Sequence, residues 1–306
     1  MAHRHDGHHR HGPAVSGRRL LWVTLLNFLV TAAEMVGGLL SSSLSLLSDA
    51  VHNLGDALSL ALAYAARKVG GRKASLRYTF GYQRAEIVAA FVNAAVLVAI
   101  CLFLLKEAWD RWQSPGEIDG GVMLTFAVIG LAANLFSVLI LQKEKGRDLN
   151  TRAAYLHLLG DTLSSVAVIA GAAAILLWRL FWLDPLITVL VSLYILWHAW
   201  GVLREATDIL MQSAPEDLDV PAVIEAIERL DGVRDVHHLH LWRLNESQVH
   251  FEAHVTVPGA VTLSEVQATR EAIRAILEAH GISHSTLQME AEGCAGCGTL
   301  LADEGR

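Results

Sequence analysis

Two short stretches in the apolar half of the chain each carry a histidine and an aspartate four residues apart. They are His52 with Asp56, and His157 with Asp161. Side chains at positions i and i+4 lie one turn apart on the same face of a helix, so each pair can reach one point in space. Two such helices facing each other would offer two imidazoles and two carboxylates, the number and kind of ligands that tetrahedral zinc takes. Ionisable side chains are costly within a bilayer, so these four are the first candidates for function.

The ligand types favour zinc, with cobalt close behind. Two nitrogen and two oxygen donors suit these ions better than magnesium or calcium, and the lack of a thiolate argues against copper(I). The same groups bind protons when metal is absent, because holding the metal requires neutral imidazoles and ionised carboxylates. A site that faced two compartments in turn would therefore exchange metal for protons. An inward gradient contributing roughly 2.3 kcal/mol per charge per 100 mV could then drive metal uphill.

Other polar residues lie among the apolar ones in the same half. Asp49 is one turn before His52, and we expect it to be either an outer-shell partner of the metal site or a proton acceptor. Asn27, Glu34 and Asn53 are expected to form hydrogen bonds between helices.

The composition separates the chain into a membrane part and an aqueous part. Of its 306 residues, 53% are hydrophobic and 18% are charged, with a mean hydropathy of +0.39. The apolar residues are concentrated before residue 205, and the remainder has the composition of a soluble domain. The net charge of −7 is spread along the chain, so nucleic acid is not an expected partner.

Six segments have about the 20-residue length that a helix needs to cross a bilayer. They lie near residues 20–40, 45–68, 85–109, 120–142, 152–178 and 184–205. Asp184 and Pro185 are expected to start the last of them, as a cap and as a first-turn residue. Basic residues concentrate in the N-terminal tail and in the connections after the second and fourth segments, which predicts that both termini face the cytoplasm.

The two ends of the chain have unusual compositions. Residues 1–19 contain five histidines, and we expect a disordered tail that either collects metal or has no role. This stretch has no apolar core of a signal peptide, so the first helix is the expected insertion signal. Cys101 is expected to be a packing residue. Cys294 and Cys297 form a CxxC pair that can chelate one zinc ion but leaves its coordination incomplete.

From about residue 215 the pattern becomes that of a small α+β domain. The predicted elements are a helix over 219–230, strands over 233–243 and 249–257, a helix over 264–280 opened by a Ser264–Gln267 capping box, and a final strand around Leu287 and Met289. A small antiparallel sheet with helices on one face would bury both apolar sets. The predicted domains are a tail over 1–19, a transmembrane domain over 20–208, a C-terminal domain over 209–292 and a second tail over 293–306.

Three segments resemble the cation diffusion facilitator family, and within it the bacterial zinc-exporting members and the vesicular zinc transporters of animals. They are Gly38–Asp56, Tyr78–Asn93 and Asn150–Ser165, and the likeness runs from about residue 20 to 292. The resemblance implies six transmembrane helices in a bacterial inner membrane, a ferredoxin-like cytoplasmic domain and a homodimer. It also implies export of Zn²⁺ from the cytoplasm in exchange for H⁺ by alternating access.

Site residues follow from the resemblance by position. The transport-site ligands are His52, Asp56, His157 and Asp161. Relatives with aspartate in place of the first histidine tend to accept cadmium or manganese as well, so the histidine at position 52 favours zinc and leaves cadmium and cobalt open. A regulatory zinc site in the C-terminal domain is implied at His237, His254, His284 and Glu290.

Two further implications concern the C-terminal part. Gln288 stands where some bacterial relatives have histidine, which argues against a binuclear site like theirs. Vesicular relatives also end in CxxC and complete that site with the N-terminal tail of the partner subunit. Histidines 3–11 are expected to do the same here for Cys294 and Cys297, and the alternative is a reduced CxxC pair without a role.

Two other functions are compatible with zinc ligands inside a membrane. An intramembrane metalloenzyme would use the metal to activate water, but a catalytic zinc keeps one coordination position open and needs a nearby general base. Four protein ligands would close the shell, and the sequence has no HExxH motif. A membrane metal sensor without flux would explain the soluble domain but not ligands buried in mid-bilayer. The sequence therefore favours a transporter over an enzyme.

Overall fold

Long helices occupy most of the chain before residue 211, and a short sheet follows them. The structure is a computed structural model that describes residues 17–142 and 149–291. In chain order its elements are α1 Gly17–Ser41, α2 Leu44–Gly70, α3 Ala85–Gln113, α4 Gly120–Gln142, α5 Leu149–Trp178, α6 Leu183–Leu210, α7 Val220–Glu228, β1 Asp235–Arg243, β2 Val249–Val257, α8 Leu263–Ala279 and β3 His284–Ala291. The chain divides into a helical unit, Met1–Leu62 with Val92–Val202, and a C-terminal unit, Ala63–Phe91 with Leu203–Arg306.

Each of the six apolar segments predicted from the sequence coincides with one of the helices α1 to α6. Among the residues with described side chains, three helical stretches are long and apolar enough to cross a membrane: Ala85–Gln113, Gly160–Trp178 and Leu183–Leu210. Shorter apolar stretches cover Leu25–Ser41 and Gly120–Phe136. Asp49, His52 and Asp56 make α2 less apolar than α3, α4 and α6, which is the expected consequence of placing ionisable groups on it.

The helical unit is held together by close approach of its helices. α4 packs against both α1 and α5, around an apolar core. The buried core side chains are Leu46, Ile118, Met123, Ala127, Val168, Ala172 and Ile175. At Gly37 of α1 a Cβ atom would lie only 2.3 Å from the Phe126 ring of α4, so no larger residue fits at this crossing.

Asp184 lies in the first turn of α6, where the sequence predicts a helix start. The expectation that it caps its own helix is wrong, since its carboxylate instead accepts hydrogen bonds from the backbone N–H groups of Leu44 and Ser45, at the start of α2. The first N–H groups of any helix lack intrahelical partners, and here another helix supplies the acceptor.

The C-terminal sheet has the order β1-β2-β3 and is mixed. The antiparallel pairing of β1 with β2 is as predicted, but β3 runs parallel to β2, so the prediction of a wholly antiparallel sheet is wrong. The reason is α8, which carries the chain from the end of β2 back to the level at which β2 begins. Phe251 and Val255 of β2 pack against Ile227 of α7 and Ile273 and Leu277 of α8. Burial of this apolar set holds both helices on the sheet.

The connection between α2 and α3 belongs to the C-terminal unit and packs on its sheet. Phe80 makes edge contacts with the rings of Trp242 and His250, at centroid distances of 5.9 and 5.4 Å. The guanidinium of Arg84 lies 5.6 Å from the centre of the Trp242 ring, within the range of a cation–π interaction. Burial, followed by the nearby His284 and Arg84, lowers the pKa of His250, so this imidazole is neutral among its aromatic neighbours at pH 7.

The N-terminus of α8 is capped two residues earlier than predicted. Thr262, not Ser264, is the N-cap residue: its hydroxyl accepts from the backbone N–H of Glu265, and the Glu265 carboxylate accepts from the backbone N–H of Thr262. The Thr262 backbone N–H and hydroxyl both donate to this carboxylate, and these hydrogen bonds lower the pKa of Glu265. The helix therefore begins at Leu263, which places Ser264 inside the first turn, where its hydroxyl cannot cap.

Thr262→Ala should destabilise the start of α8 by about 1 kcal/mol, because the first N–H groups lose their acceptor. Hydrogen exchange of the peptide covering residues 263–279, measured in the full chain, should become faster. Ser264→Ala is the matched control and should leave exchange unchanged. Equal effects of the two alanine variants would contradict the assignment of Thr262 as the N-cap residue.

The lowered pKa of Glu265 adds a pH dependence to the stability of this helix start. The contribution of the Glu265 carboxylate is complete above its ordinary pKa of 4.5 and is lost as pH falls through the lower pKa of the folded state.

Candidate metal centres

In the helical unit the His52 imidazole lies between two carboxylates. Its Nε2 atom is 3.1 Å from Oδ1 of Asp161 on α5 and 3.7 Å from Oδ2 of Asp56, one turn later on α2. One ligand atom from each of the three residues lies within 4.8 Å of the other two. Zinc binds such atoms at about 2.0–2.2 Å, so this spacing can close around one ion with small side-chain adjustments. The structure thus brings together three of the four residues that the sequence predicts as transport ligands.

The helix geometry explains how two distant stretches of sequence meet. The i, i+4 spacing of His52 and Asp56 places both on one face of α2, and Asp161 reaches them from α5. His157 lies one turn before Asp161 on α5, but its side chain is outside the described part of the structure. Its role as the fourth ligand stays a prediction.

Hydrogen bonds from neighbouring helices support this cluster. Both carboxylate oxygens of Asp49, on α2, accept from α5, at 2.8 Å from Ser164 and 3.3 Å from Ser165. The Asn53 amide donates to Glu34 of α1 at 2.9 Å, which confirms the predicted helix-to-helix hydrogen bonding for this pair. Asp49 therefore ties α2 to α5 one turn before His52, which positions His52 opposite Asp161.

A cavity of about 200 Å³ opens beside two of the three candidate ligands. His52 and Asp56 line it together with polar groups from α2, α3 and α6, namely Ser59, Asn93, Tyr194 and His198. The His198 and Tyr194 rings are in edge contact at 4.7 Å, and Tyr194 in turn is 6.2 Å from the His52 ring. The sequence analysis did not single out Tyr194 or His198. An imidazole inside an apolar helix is the signal that could have identified His198.

A second cluster lies on the sheet of the C-terminal unit. His237 Nε2 is 3.4 Å from Glu290 Oε2, and His254 Nδ1 is 2.9 Å from Glu290 Oε1. His237 also has Asp235 2.9 Å from its other ring nitrogen, Nδ1, which orients the imidazole with Nε2 towards the cluster, as outer-shell carboxylates do for metal ligands. Two imidazoles and a carboxylate are a donor set that zinc accepts, so these residues fit the metal. Bound zinc would cross-link β1, β2 and β3, one ligand coming from each strand.

His284 lies outside this cluster, so the structure brings together three of the four residues that the resemblance implies. It pairs with His250 at the opposite end of β3 from Glu290, and the two rings lie 4.6 Å apart. Gln288 donates a hydrogen bond to Glu290 Oε1 at 2.7 Å, so it contacts the site through a ligand. Cys294, Cys297 and histidines 3–11 lie outside the described residues.

Comparison with known proteins agrees with this two-part organisation. The family model described as the cation efflux transmembrane domain matches residues 20–211, and the model of the cation efflux protein cytoplasmic domain matches residues 215–292. The zinc transporter ZitB of Escherichia coli is 39% identical over 302 residues, which cover 97% of this chain and 95% of the relative. The cadmium, cobalt and zinc/H⁺-K⁺ antiporter of Bacillus subtilis is 36% identical over 288 residues, covering 93% and 92%. The metal cation efflux system protein CzcD of Cupriavidus metallidurans is 36% identical over 288 residues, covering 94% and 91%.

His237→Ala should weaken zinc binding at the C-terminal cluster at least about 100-fold, since losing even an outer-shell partner costs roughly 10–100-fold. Addition of zinc to the full-length protein should slow hydrogen exchange of β1, β2 and β3, and this protection should disappear in the variant. His284→Ala is the matched control, a histidine on the same sheet outside the cluster, and should keep the zinc-dependent protection. Loss of protection in His284→Ala would restore the four-residue set.

Proposed function

Because this chain belongs to the cation efflux family, we propose that it exports Zn²⁺ from the cytoplasm in exchange for protons. The observation that carries the proposal is the cluster of His52, Asp56 and Asp161 between two apolar helices, next to a cavity that gives an ion a way in. With His157 the set would have two nitrogen and two oxygen ligands, and Zn²⁺ would be the substrate it carries. Cadmium and cobalt are the secondary substrates of the proposal, in line with the name of the Bacillus subtilis relative.

Proton coupling follows from the chemistry of the same residues. The geometry brings the His52 imidazole against two carboxylates, an arrangement that a divalent cation stabilises by direct ligation. When the cation leaves, the buried negative charge requires protons in its place. Metal and protons therefore compete for one site, and alternating exposure of that site to the two sides converts the competition into antiport.

The membrane arrangement that we propose has six spans, formed by α1 to α6, in a bacterial inner membrane with both termini in the cytoplasm. Its support is the match to the transmembrane family model over residues 20–211 and the three stretches that are apolar over a full membrane thickness. The basic connections after α2 and α4 fit this orientation. The domain boundaries expected from the sequence, with a transmembrane domain over 20–208 and a C-terminal domain over 209–292, belong to the same proposal.

The C-terminal domain is proposed to have a ferredoxin-like fold, to join two copies of the chain and to hold regulatory zinc. Its element order α-β-β-α-β and the match to the cytoplasmic family model support the first two statements. The cluster of His237, His254 and Glu290 supports the third statement, the regulatory zinc.

A second zinc at Cys294 and Cys297, completed by the histidine-rich tail of a partner subunit, is part of the proposal. Removal of residues 1–12 should lower the amount of zinc bound by the cytoplasmic part.

Zinc uptake into inside-out vesicles under an imposed pH gradient tests the transport proposal. The intact protein should accumulate zinc, and collapse of the gradient should stop it. Asp56→Asn should abolish uptake, because the site loses a charged ligand. Asp110→Asn, an exposed aspartate paired with Lys106 at 2.6 Å, is the control and should transport normally. The proposal would be wrong if the intact protein moved no zinc and Asp56→Asn behaved identically.

His52→Asp should broaden transport towards cadmium. The substitution replaces a ring nitrogen with flexible carboxylate oxygens and adds negative charge, which relaxes the preference for a small, borderline ion. The measurement is the ratio of cadmium to zinc uptake in the same vesicles, with the Asp110→Asn protein again as control. An unchanged ratio would refute a role for His52 in metal selectivity.

A further inference from the structure

Asp184 is the most completely buried carboxylate of the described helical unit that takes no part in the metal cluster, with 0% of its surface exposed. Its Oδ1 atom accepts from the hydroxyls of Ser43 at 2.6 Å and Ser45 at 2.7 Å, and from the Ser45 backbone N–H at 3.0 Å. Its Oδ2 atom accepts from the backbone N–H of Leu44 at 2.8 Å. All four donors belong to the start of α2, whereas Asp184 itself is on α6.

The chemistry of this contact makes it strong. The N-terminus of a helix carries unpaired N–H groups and a partial positive charge, both of which favour an anion. Arg111 of α3 completes the cluster, with a guanidinium nitrogen 4.0 Å from Asp184 Oδ2 and a hydrogen bond to the Ser42 carbonyl. One buried carboxylate therefore joins the ends of α2, α3 and α6.

A second contact between α2 and α6 lies closer to the metal ligands. The hydroxyls of Ser48 on α2 and Ser192 on α6 are 3.3 Å apart, and both residues are buried. Ser48 lies one turn after the Asp184 contact and one turn before His52. The two helices are thus in contact at two successive levels, at Asp184 and at Ser48, before the metal site.

On the other side of the metal ligands the same three helices line a cavity. Asp56 and Ser59 of α2, Asn93 of α3 and His198 of α6 border it, and it continues to Val202. Along α2 and α6 these positions lie further from the Asp184 contact than His52 does. The metal cluster therefore borders a cavity on one side, whereas on the Asp184 side Ser45, Ser48 and Ser192 are fully buried.

We propose that Asp184 is a positioning residue of the transport cycle: it holds α2 and α6 together as the closed gate on the side of the metal site opposite the cavity. The inference rests on the proposed transport function, because a gate has a role only if the site faces two sides in turn. For the metal to leave on the far side, the hydrogen bonds between Asp184 and the α2 N-terminus must break while the cavity closes. Asp184 acts on the metal only through the positions of the helices.

Cysteine labelling tests the gate in the full-length protein reconstituted in vesicles. Cys101, Cys294 and Cys297 are first replaced, by alanine at the buried position and by serine at the other two. Ser48→Cys then reports the Asp184 side and Ser59→Cys reports the cavity, with a membrane-impermeant maleimide applied to each side of the membrane in turn. Asp184→Asn keeps the volume of the side chain but removes the charge and presents an N–H₂ group to donors.

With Asp184 intact, Ser59→Cys should react and Ser48→Cys should be protected. Asp184→Asn should accelerate labelling at position 48 on the order of tenfold, the effect of losing about one charge-assisted hydrogen bond from one of two states. Labelling at position 59 should slow in the same protein. If Asp184→Asn only loosened the packing of the helices, labelling would become faster at both positions. Opposite changes at positions 48 and 59 therefore identify a gate.

Two further variants keep the test decisive. Ser45→Ala removes one donor and leaves the charge, so it should cause the same opposite changes to a smaller extent even if Asp184→Asn fails to fold. Asp119→Asn is the matched control, since Asp119 caps its own helix, α4, through the N–H groups of Gly121 and Val122. It should leave both labelling rates unchanged. Faster labelling at both reporters, or no change at either, in Asp184→Asn and Ser45→Ala overturns the gate. Labelling requires no zinc flux, so a failure of the transport proposal is detected separately by the uptake assay.

Discussion

The cost of burying carboxylates among apolar helices is the constraint on which this structure depends. An ionised side chain inside a membrane requires a cation, a proton or several hydrogen-bond donors. The described helical unit meets this requirement differently at each acidic residue. Asp184 uses the start of another helix, Asp49 uses two serine hydroxyls of α5, and Asp161 uses the imidazole of His52. Each solution joins two helices, so the acidic residues also set how the helices pack.

The same constraint gives the metal cluster its function. At Asp49 and Asp184 the partners are hydrogen-bond donors of the protein itself, whereas His52, Asp56 and Asp161 form a group that can hold a divalent cation or protons. Donors supplied by the protein suit residues that hold helices together. An exchangeable ligand suits residues that bind an ion or protons. The division between the two kinds of carboxylate follows from their neighbours rather than from their residue type.

In the C-terminal unit, strand direction decides which histidines form a site. Because β3 is parallel to β2, its last residues lie beside the end of β2, and Glu290 reaches both His254 and His237. The first residue of β3, His284, lies beside the start of β2 and meets His250 instead. An antiparallel β3 would have reversed these neighbours. The topology of one crossover helix, α8, therefore selects the ligand set.

The sequence by itself determined the elements and three candidate metal ligands. Hydrophobic length predicted α1 to α6, alternation predicted β2 and β3, and the i, i+4 spacing predicted His52, Asp56 and Asp161, because each of these signals is local. Only the tertiary structure decided that His284 is excluded, that Thr262 rather than Ser264 caps α8, and that Asp184 caps α2. The last of these joins residues about 140 positions apart. Local patterns carry information on which face a residue occupies, but the partner of a buried polar group is set by which distant helix or strand lies opposite it.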